Sequence, residues 1–421
     1  MTRSHRAPST PSLPIAGRTL SRRAPRFCGA AGFTLIEMLV ATAIMLTLTA
    51  AVFTALNPSQ GIFQSQSELS DMQQRLRVGV DTLTHDLMAA GAGAYLGSQP
   101  GGLVGFFAPI LPARRANLAS IDDGPGAYRT NAITLLYVPS TPAQTSTFSA
   151  MTNASSDLTV NPEPRCPATA PLCGFTTGMG AVVYDTAGAF DIFTVTGVVD
   201  ASLQLQHAQQ PNLSRAYPAG ATIAQIARRV YYFDAAANQL MRSDGFQTTM
   251  PVLDNVVALQ FEYYGEPTPP ALRRPGVDQS ATYGPSPPAL GVAGNPWPAG
   301  ENCTIQVVGG QQVPRLAVLG NPGGGLVRLT AAQVTDGDAS GSSAWCPDAN
   351  SPNRFDADLL RIRKIRVTIR LQTPNAGLRG SLAAGPDALF ATAGTSSPGY
   401  RYVPDQAIRF DVSPRNMNLG R

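Results

Sequence analysis

Three sets of residues in this 421-residue chain have types and spacing suited to chemistry. The first is Glu37, the single formal charge in the 24-residue apolar run from Phe33 to Leu56. An acid in such a run costs about 2.5–3.5 kcal/mol at a membrane centre and less near the end, so Glu37 wants a cationic partner. A cut between Gly32 and Phe33 would supply one as a new amino terminus. The second set is the cysteines: Cys28 lies before that cut, leaving Cys166, Cys173, Cys303 and Cys346. An even number suits two disulfides in an oxidising compartment, and four cysteines allow three pairings. Sequence proximity favours Cys166–Cys173 and Cys303–Cys346 over the others. Four free thiols are the plainer alternative, and zinc is disfavoured because His85 and His207, the only histidines beyond the cut, neighbour no cysteine. The third set is Asp336-Gly337-Asp338-Ala339-Ser340-Gly341, which places oxygens at positions 1, 3 and 5 of a calcium loop and glycine at 6. Position 12 is Pro347 instead of Glu, so calcium is a weak expectation beside ordinary turn residues, with Asp348 or Asp356 as substitutes.

These residues need elements to position them. Phe33–Leu56 makes about 36 Å of helix, enough to cross a hydrocarbon core of roughly 30 Å. Asn57-Pro58 is expected to interrupt it. Beyond, Leu69, Met72, Leu76, Val80, Leu83 and Leu87 recur every three or four residues, the apolar stripe of an amphipathic helix ended by Gly91-Ala92-Gly93. Strands are expected at 132–138, 181–185, 191–199, 221–233, 256–264, 362–371 and 407–412. A hairpin is expected over 230–245, turning at 234–238. In 362–371 the alternation of Ile365, Val367, Ile369 and Leu371 with Lys364, Arg366, Thr368 and Arg370 reads as a half-buried strand with a solvated basic face. Gly265–Asn302, dense in proline and glycine, reads as a long surface insertion. No internal repeat is evident.

Gly32-Phe33-Thr34-Leu35-Ile36-Glu37 with the apolar helix behind it resembles the processing site of type IV prepilins and type II secretion pseudopilins. The resemblance implies cleavage by prepilin peptidase after Gly32, methylation of Phe33, and pairing of Glu37 with the amino terminus of a neighbouring subunit. It implies a pilin-like α+β fold, in which a long N-terminal helical spine, hydrophobic then amphipathic, packs on a large antiparallel β-rich head. An ordinary secretory signal, cut near Thr54-Ala55-Leu56-Asn57, has a shorter apolar core. A simple membrane anchor leaves Glu37 and the Gly-Phe junction without a purpose. The stretch from Gln74 to Tyr95, with Asp86, Ala90 and Gly91, resembles PilW-type minor pilins and the related J-type minor pseudopilins. Pro414-Arg415-Asn416 is similar to the usual close of such chains.

Composition agrees with export. Charged residues are 14%, with 40 Gly and 36 Pro, as in a loop-rich β protein. The net charge of +4 is misleading, because six arginines and no acid fall in residues 1–32. Beyond them the chain is slightly acidic, without a nucleic-acid footprint, while the basic leader favours a cytoplasmic amino terminus at the inner membrane and a periplasmic head. The expected organisation is a leader over 1–32, a membrane or fibre-core helix over 33–56, an amphipathic half over 57–96 and a head over 97–421. So bulky a head suits a minor subunit of a type IV pilus. A J-type pseudopilin or a pilus-tip adhesin, with its insertions as recognition surface, is the alternative. No catalytic constellation is present: no nucleophile elbow, phosphate-binding glycine loop or helical histidine pair. The expected partners are other pilins or pseudopilins through the N-terminal helix.

Overall fold

The computed structural model describes residues 32–93, 95, 96, 99, 100, 102–186, 188–208, 212–270, 284–294, 296–335, 345–348, 351–375, 378 and 403–417, of which 55–64, 95, 96, 99 and 100 are described by backbone element only. The chain divides into two compact units, Met1–Ser59 and Gln60–Arg421.

A single α-helix, Leu35–Ala89, covers both stretches in which helix is expected. The break expected at Asn57-Pro58 does not occur. Pro58 removes one rung, the N–H to the carbonyl of Thr54, and crowds that carbonyl, but the helix runs on through it on both sides. The division between the two units nevertheless falls directly beyond Pro58.

In the first unit every described residue from Gly32 to Thr54 is exposed. In the second, Met72, Leu76, Leu83 and Leu87 are buried and Leu69 and Val80 partly so, giving the stripe a core to face. Gly91, at φ +80°, takes the left-handed conformation that ends the helix. Its N–H donates to the Leu136 carbonyl at 2.9 Å, and the Val138 N–H donates to the Ala92 carbonyl at 2.8 Å. The helix end is thereby stitched to the strand Ala132–Tyr137.

Among the described residues three larger antiparallel sheets, with three two-stranded ones, build the rest of this unit. A five-stranded sheet has the spatial order Thr249–Asp254, Gln239–Ser243, Ala227–Asp234, Ala132–Tyr137 and Ile110–Leu111. Its first hairpin turns at Asp234–Asn238 as expected, with Asp234 Oδ1 accepting from the Ala236 and Ala237 N–H groups and Asn238 at φ 53°. A six-stranded sheet runs Gln144–Ser146, Thr222–Gln225, Gly180–Tyr184, Phe190–Val199, Gln204–His207, Leu158–Thr159. It is buried on both faces. Val182 and Ala224 face the large core that receives the helix, whereas Ala181, Val183 and Ile223 face a second core with Leu172, Phe175, Leu213 and Tyr217.

The single strand expected over 221–233 is two strands in different sheets, Thr222–Gln225 and Ala227–Asp234. The chain changes sheets at Ile226, whose N–H donates to the Gly180 carbonyl at 3.0 Å. A stretch buried on both faces has no alternation that marks which sheet it serves.

A four-stranded sheet runs Val327–Leu329, Val256–Gly265, Ile362–Leu371, Gln406–Val412. Gly265 sits opposite Ile362, so all of 266–361 is inserted between two neighbouring strands. The insertion is larger than the Gly265–Asn302 segment expected. It contains its own short hairpin, Ile305–Val308 with Gln311–Pro314, and returns one strand, Val327–Leu329, to the sheet. Ile362–Leu371 is a central strand, and its basic face is not simply solvated. Arg363 and Arg370 are buried, and Glu266, Asp411 and Asp405 neutralise Arg363, Lys364 with Arg366, and Arg370 in turn. The reason is the register, which sets Arg366 directly opposite Asp411. The hydrogen bonds donated by Arg366 hold the Asp411 carboxyl down at about 2.

Candidate processing and assembly site

Gly32 and Phe33 lie immediately before the helix, and the Phe33 side chain is 86% exposed. Thr34 and Glu37 close a reciprocal cap. The Glu37 N–H donates to Thr34 Oγ1 at 3.3 Å, and Glu37 Oε2 accepts from the Thr34 N–H and hydroxyl, both at 2.9 Å. This Thr-x-x-Glu arrangement satisfies two backbone donors that a helix start leaves without partners. The carboxylate also sits where the helix dipole favours negative charge. No cation reaches Glu37 among the described residues. Behind it, Leu35–Thr54 is long and apolar enough to cross a membrane.

The opposite end of the same helix carries a second carboxylate, Asp86, which is buried. Tyr231 donates its hydroxyl to Oδ2 at 2.6 Å and Tyr137 donates to Oδ1 at 3.0 Å. Arg242 and Arg229 bring their Nε atoms to 3.5 and 3.9 Å of Oδ2. Burial, and then the Asp86 charge, pushes both phenols up from their ordinary value. Both tyrosines and Arg229 come from the strands Ala132–Tyr137 and Ala227–Asp234, so Asp86 pins the helix to the centre of the five-stranded sheet. Asn416 completes the helix end by donating from Nδ2 to the carbonyls of Ala89 and Ala90 at 3.2 and 3.3 Å. These contacts anchor the helix end to the sheet.

Cysteines pair as sequence proximity favours. Cys166 is joined to Cys173 with Cα atoms 5.6 Å apart, and Cys303 to Cys346 at 5.2 Å. The first closes a loop beside the second core, and the second ties two parts of the insertion. Residues 1–31 and the calcium candidates Asp336, Asp338 and Ser340 lie outside the described residues. Among the described residues no group of three metal-ligating side chains is found. His85 is exposed on the helix, and His207 is buried with its two ring nitrogens against the carbonyls of Ala208 and Ser156.

Of the residues that matter at the helix end, sequence marked Asp86, Ala90 and Asn416 only through resemblance, whereas Gly91 was also read as the residue that ends the helix. A physical signal for Asp86 was present: an acid next to Leu87 and three residues beyond Leu83, at the edge of an apolar stripe. Its partners Tyr137, Tyr231, Arg229 and Arg242 carried no such mark. The capping role of Thr34 was legible as Thr followed by Glu three residues later, though the processing reading of the same residues hid it.

No curated protein and no solved structure matches the chain. Residues 29–53 match the family described as the prokaryotic N-terminal methylation motif, a span that takes in Gly32, Phe33 and Glu37. The chain therefore carries the prepilin signal of type IV pilin-like proteins, set on its one apolar helix of membrane-crossing length among the described residues.

Proposed function

We propose that the chain is a PilW-like minor pilin precursor that takes part in initiating or capping type IV pilus assembly. Prepilin peptidase removes residues 1–32 by cutting between Gly32 and Phe33, and Phe33 becomes the methylated amino terminus. Residues 33–56 hold the protein in the inner membrane with a cytoplasmic amino terminus, then enter a fibre core; 57–96 join them to the head, 97–421. Its work is structural, with no substrate turned over.

The observation that carries this reading is the methylation motif on a helical segment, residues 35–54, whose side chains are all exposed and whose sole charge is Glu37. Such a surface prefers lipid or a bundle of like helices over water. Glu37 can exchange its local bonds to Thr34 for the amino group of a neighbouring Phe33, which sets a register along the fibre. The Asp86 anchor and the Asn416 cap support the PilW-type reading, since they give a physical purpose to positions that resemble that group. A J-type minor pseudopilin shares every one of these features, and the bulk of the head supports a tip position in either fibre.

Sequencing the mature amino terminus by mass spectrometry tests the proposal. The expected product begins with N-methylated Phe33; a product beginning near Asn57, or an uncut chain in a cell with active prepilin peptidase, overturns it. Co-purification with minor pilins, or with secretion pseudopilins, then assigns the fibre.

A further inference from the structure

Among the described residues of the second unit four arginines are buried: Arg228, Arg361, Arg363 and Arg370. Three face a carboxylate, namely Asp358, Glu266 and Asp405 respectively. Arg228 faces none among the described residues. Its Nη1 donates to Asn117 Oδ1 at 3.0 Å, its guanidinium lies 5.0 Å from the Phe246 ring centroid, and its Nε meets no acceptor. Burial, and then the like charge of Arg115, pulls this group down to about 10, so it remains a cation at neutral pH. A buried ion without a paired carboxylate carries a desolvation penalty of several kcal/mol, which the Asn117 hydrogen bond, the Phe246 ring and the more distant Asp122 charge offset only in part.

The surroundings concentrate the same sign. Arg228 lines a cavity of about 60 Å³ with Arg115 and Arg354, and the lining contains no acidic residue. Asp122, outside the lining, pairs with Arg115 at 3.3 Å, while the Arg228 charge meets no carboxylate in the lining. The walls come from three directions: Thr134 and Leu136 of the five-stranded sheet, Phe190 of the six-stranded sheet, and Phe355 of the insertion. The space exceeds the 10–15 Å³ one water needs and suits a group of a few heavy atoms. Room for the Arg228 stem is itself built in, because a Cβ on Gly245 (φ +75°) would lie 2.2 Å from Arg228 Cδ.

We propose that this cavity binds one small oxyanion, held by Arg228 with Arg115 and Arg354 around it. Guanidinium groups match the paired oxygens of phosphate, sulfate or a carboxylate and form short charge-assisted bonds with them. The anion neutralises the buried charge and ties the insertion to the two sheets it touches.

The test uses the full chain purified in detergent, at constant ionic strength with chloride as the reference anion. Equilibrium dialysis and thermal unfolding are followed with inorganic phosphate, sulfate and acetate. The expected result is saturable binding of one oxyanion per chain, with a rise in melting temperature of a few degrees near 100 times Kd. A response to phosphate and sulfate alone identifies a tetrahedral ligand; a response to acetate alone identifies a carboxylate. Identical, non-saturating behaviour of all three and chloride overturns the proposal. Arg228→Gln is expected to abolish binding, and Arg354→Gln to weaken it about tenfold, as losing a charge-assisted bond implies. Arg366→Gln, on the Asp411 pair, leaves it unchanged. Should Arg228→Gln fail to fold, Arg354→Gln decides: wild-type affinity in that variant places the anion elsewhere and overturns the proposal.

Discussion

Glu37 and Asp86 are both carboxylates on one helix, and their surroundings differ in kind. Asp86 is closed within the chain, with two tyrosine hydroxyls and two guanidinium groups drawn from the sheet beneath it. Glu37 is exposed and satisfied only by Thr34, three residues away. A local cap can be released at small cost because water or another donor replaces it, whereas a buried carboxylate with four partners cannot be released without opening the core. One acid is therefore fixed by folding, and the other remains available to a second molecule.

The contrast is sharpest if Asp86 is removed. Asp86→Ala leaves two phenols and two guanidinium groups facing a void and should lower unfolding stability by about 3–5 kcal/mol. Trp297 and Trp345, the two tryptophans of the chain, both belong to the second unit, so their fluorescence during urea unfolding reads this directly. A loss below ~1 kcal/mol would show that the anchor is incidental.

Closure within the chain also predicts an acid dependence. Burial works against the charge of Asp123, but hydrogen bonds donated by Arg114 and Arg129 prevail and hold it at about 2. Its folded value lies below the unfolded one, so its contribution is complete above about pH 4 and declines as pH falls toward 2. The melting temperature should fall across that window, and Asp123→Asn should flatten the decline.

A smaller effect belongs to the cap. Asn416→Ala removes the donor to Ala89 and Ala90 and should cost about 0.5–1.5 kcal/mol in the same urea experiment. Smallest of all on the head is Glu37→Ala, expected within ~0.5 kcal/mol of wild type by tryptophan fluorescence. The same variant should still be cut after Gly32 yet be depleted from fibres. Normal incorporation would remove the role given to Glu37 and leave it a helix cap.

How far the sequence disclosed this arrangement depends on the period of each segment. The stripe from Leu69 to Leu87 and the strand Ile362–Leu371 were legible because one face differs from the other. Residues 221–233 were not, because both faces are buried and the pattern cannot say where one sheet yields to the next. Asn57-Pro58 was read as an interruption, although one missing donor does not break a helix that continues on both sides. Ion pairs were the least legible. Arg366 and Asp411 are 45 positions apart, and Asp86 and Tyr231 are 145 apart, so only the folded register joins them. The methylation motif was the reverse case: Gly32, Phe33 and Glu37 stand out by local order alone, because the motif is one contiguous stretch of chain.

The insertion between Gly265 and Ile362 has a consequence of another sort. Its two ends are adjacent rungs of one sheet, so the segment they carry is mounted in the manner of a graft on a fixed socket. Closing a longer loop across such a socket costs only about 0.6 kcal/mol for each doubling of length. Changes of length or surface in the exposed parts of 266–361, away from Glu266, the strand Val327–Leu329 and core residues such as Phe355 and Leu360, thus leave the Val256–Gly265 and Ile362–Leu371 pairing in place. The head can diversify what it displays there while its attachment to the helix stays constant.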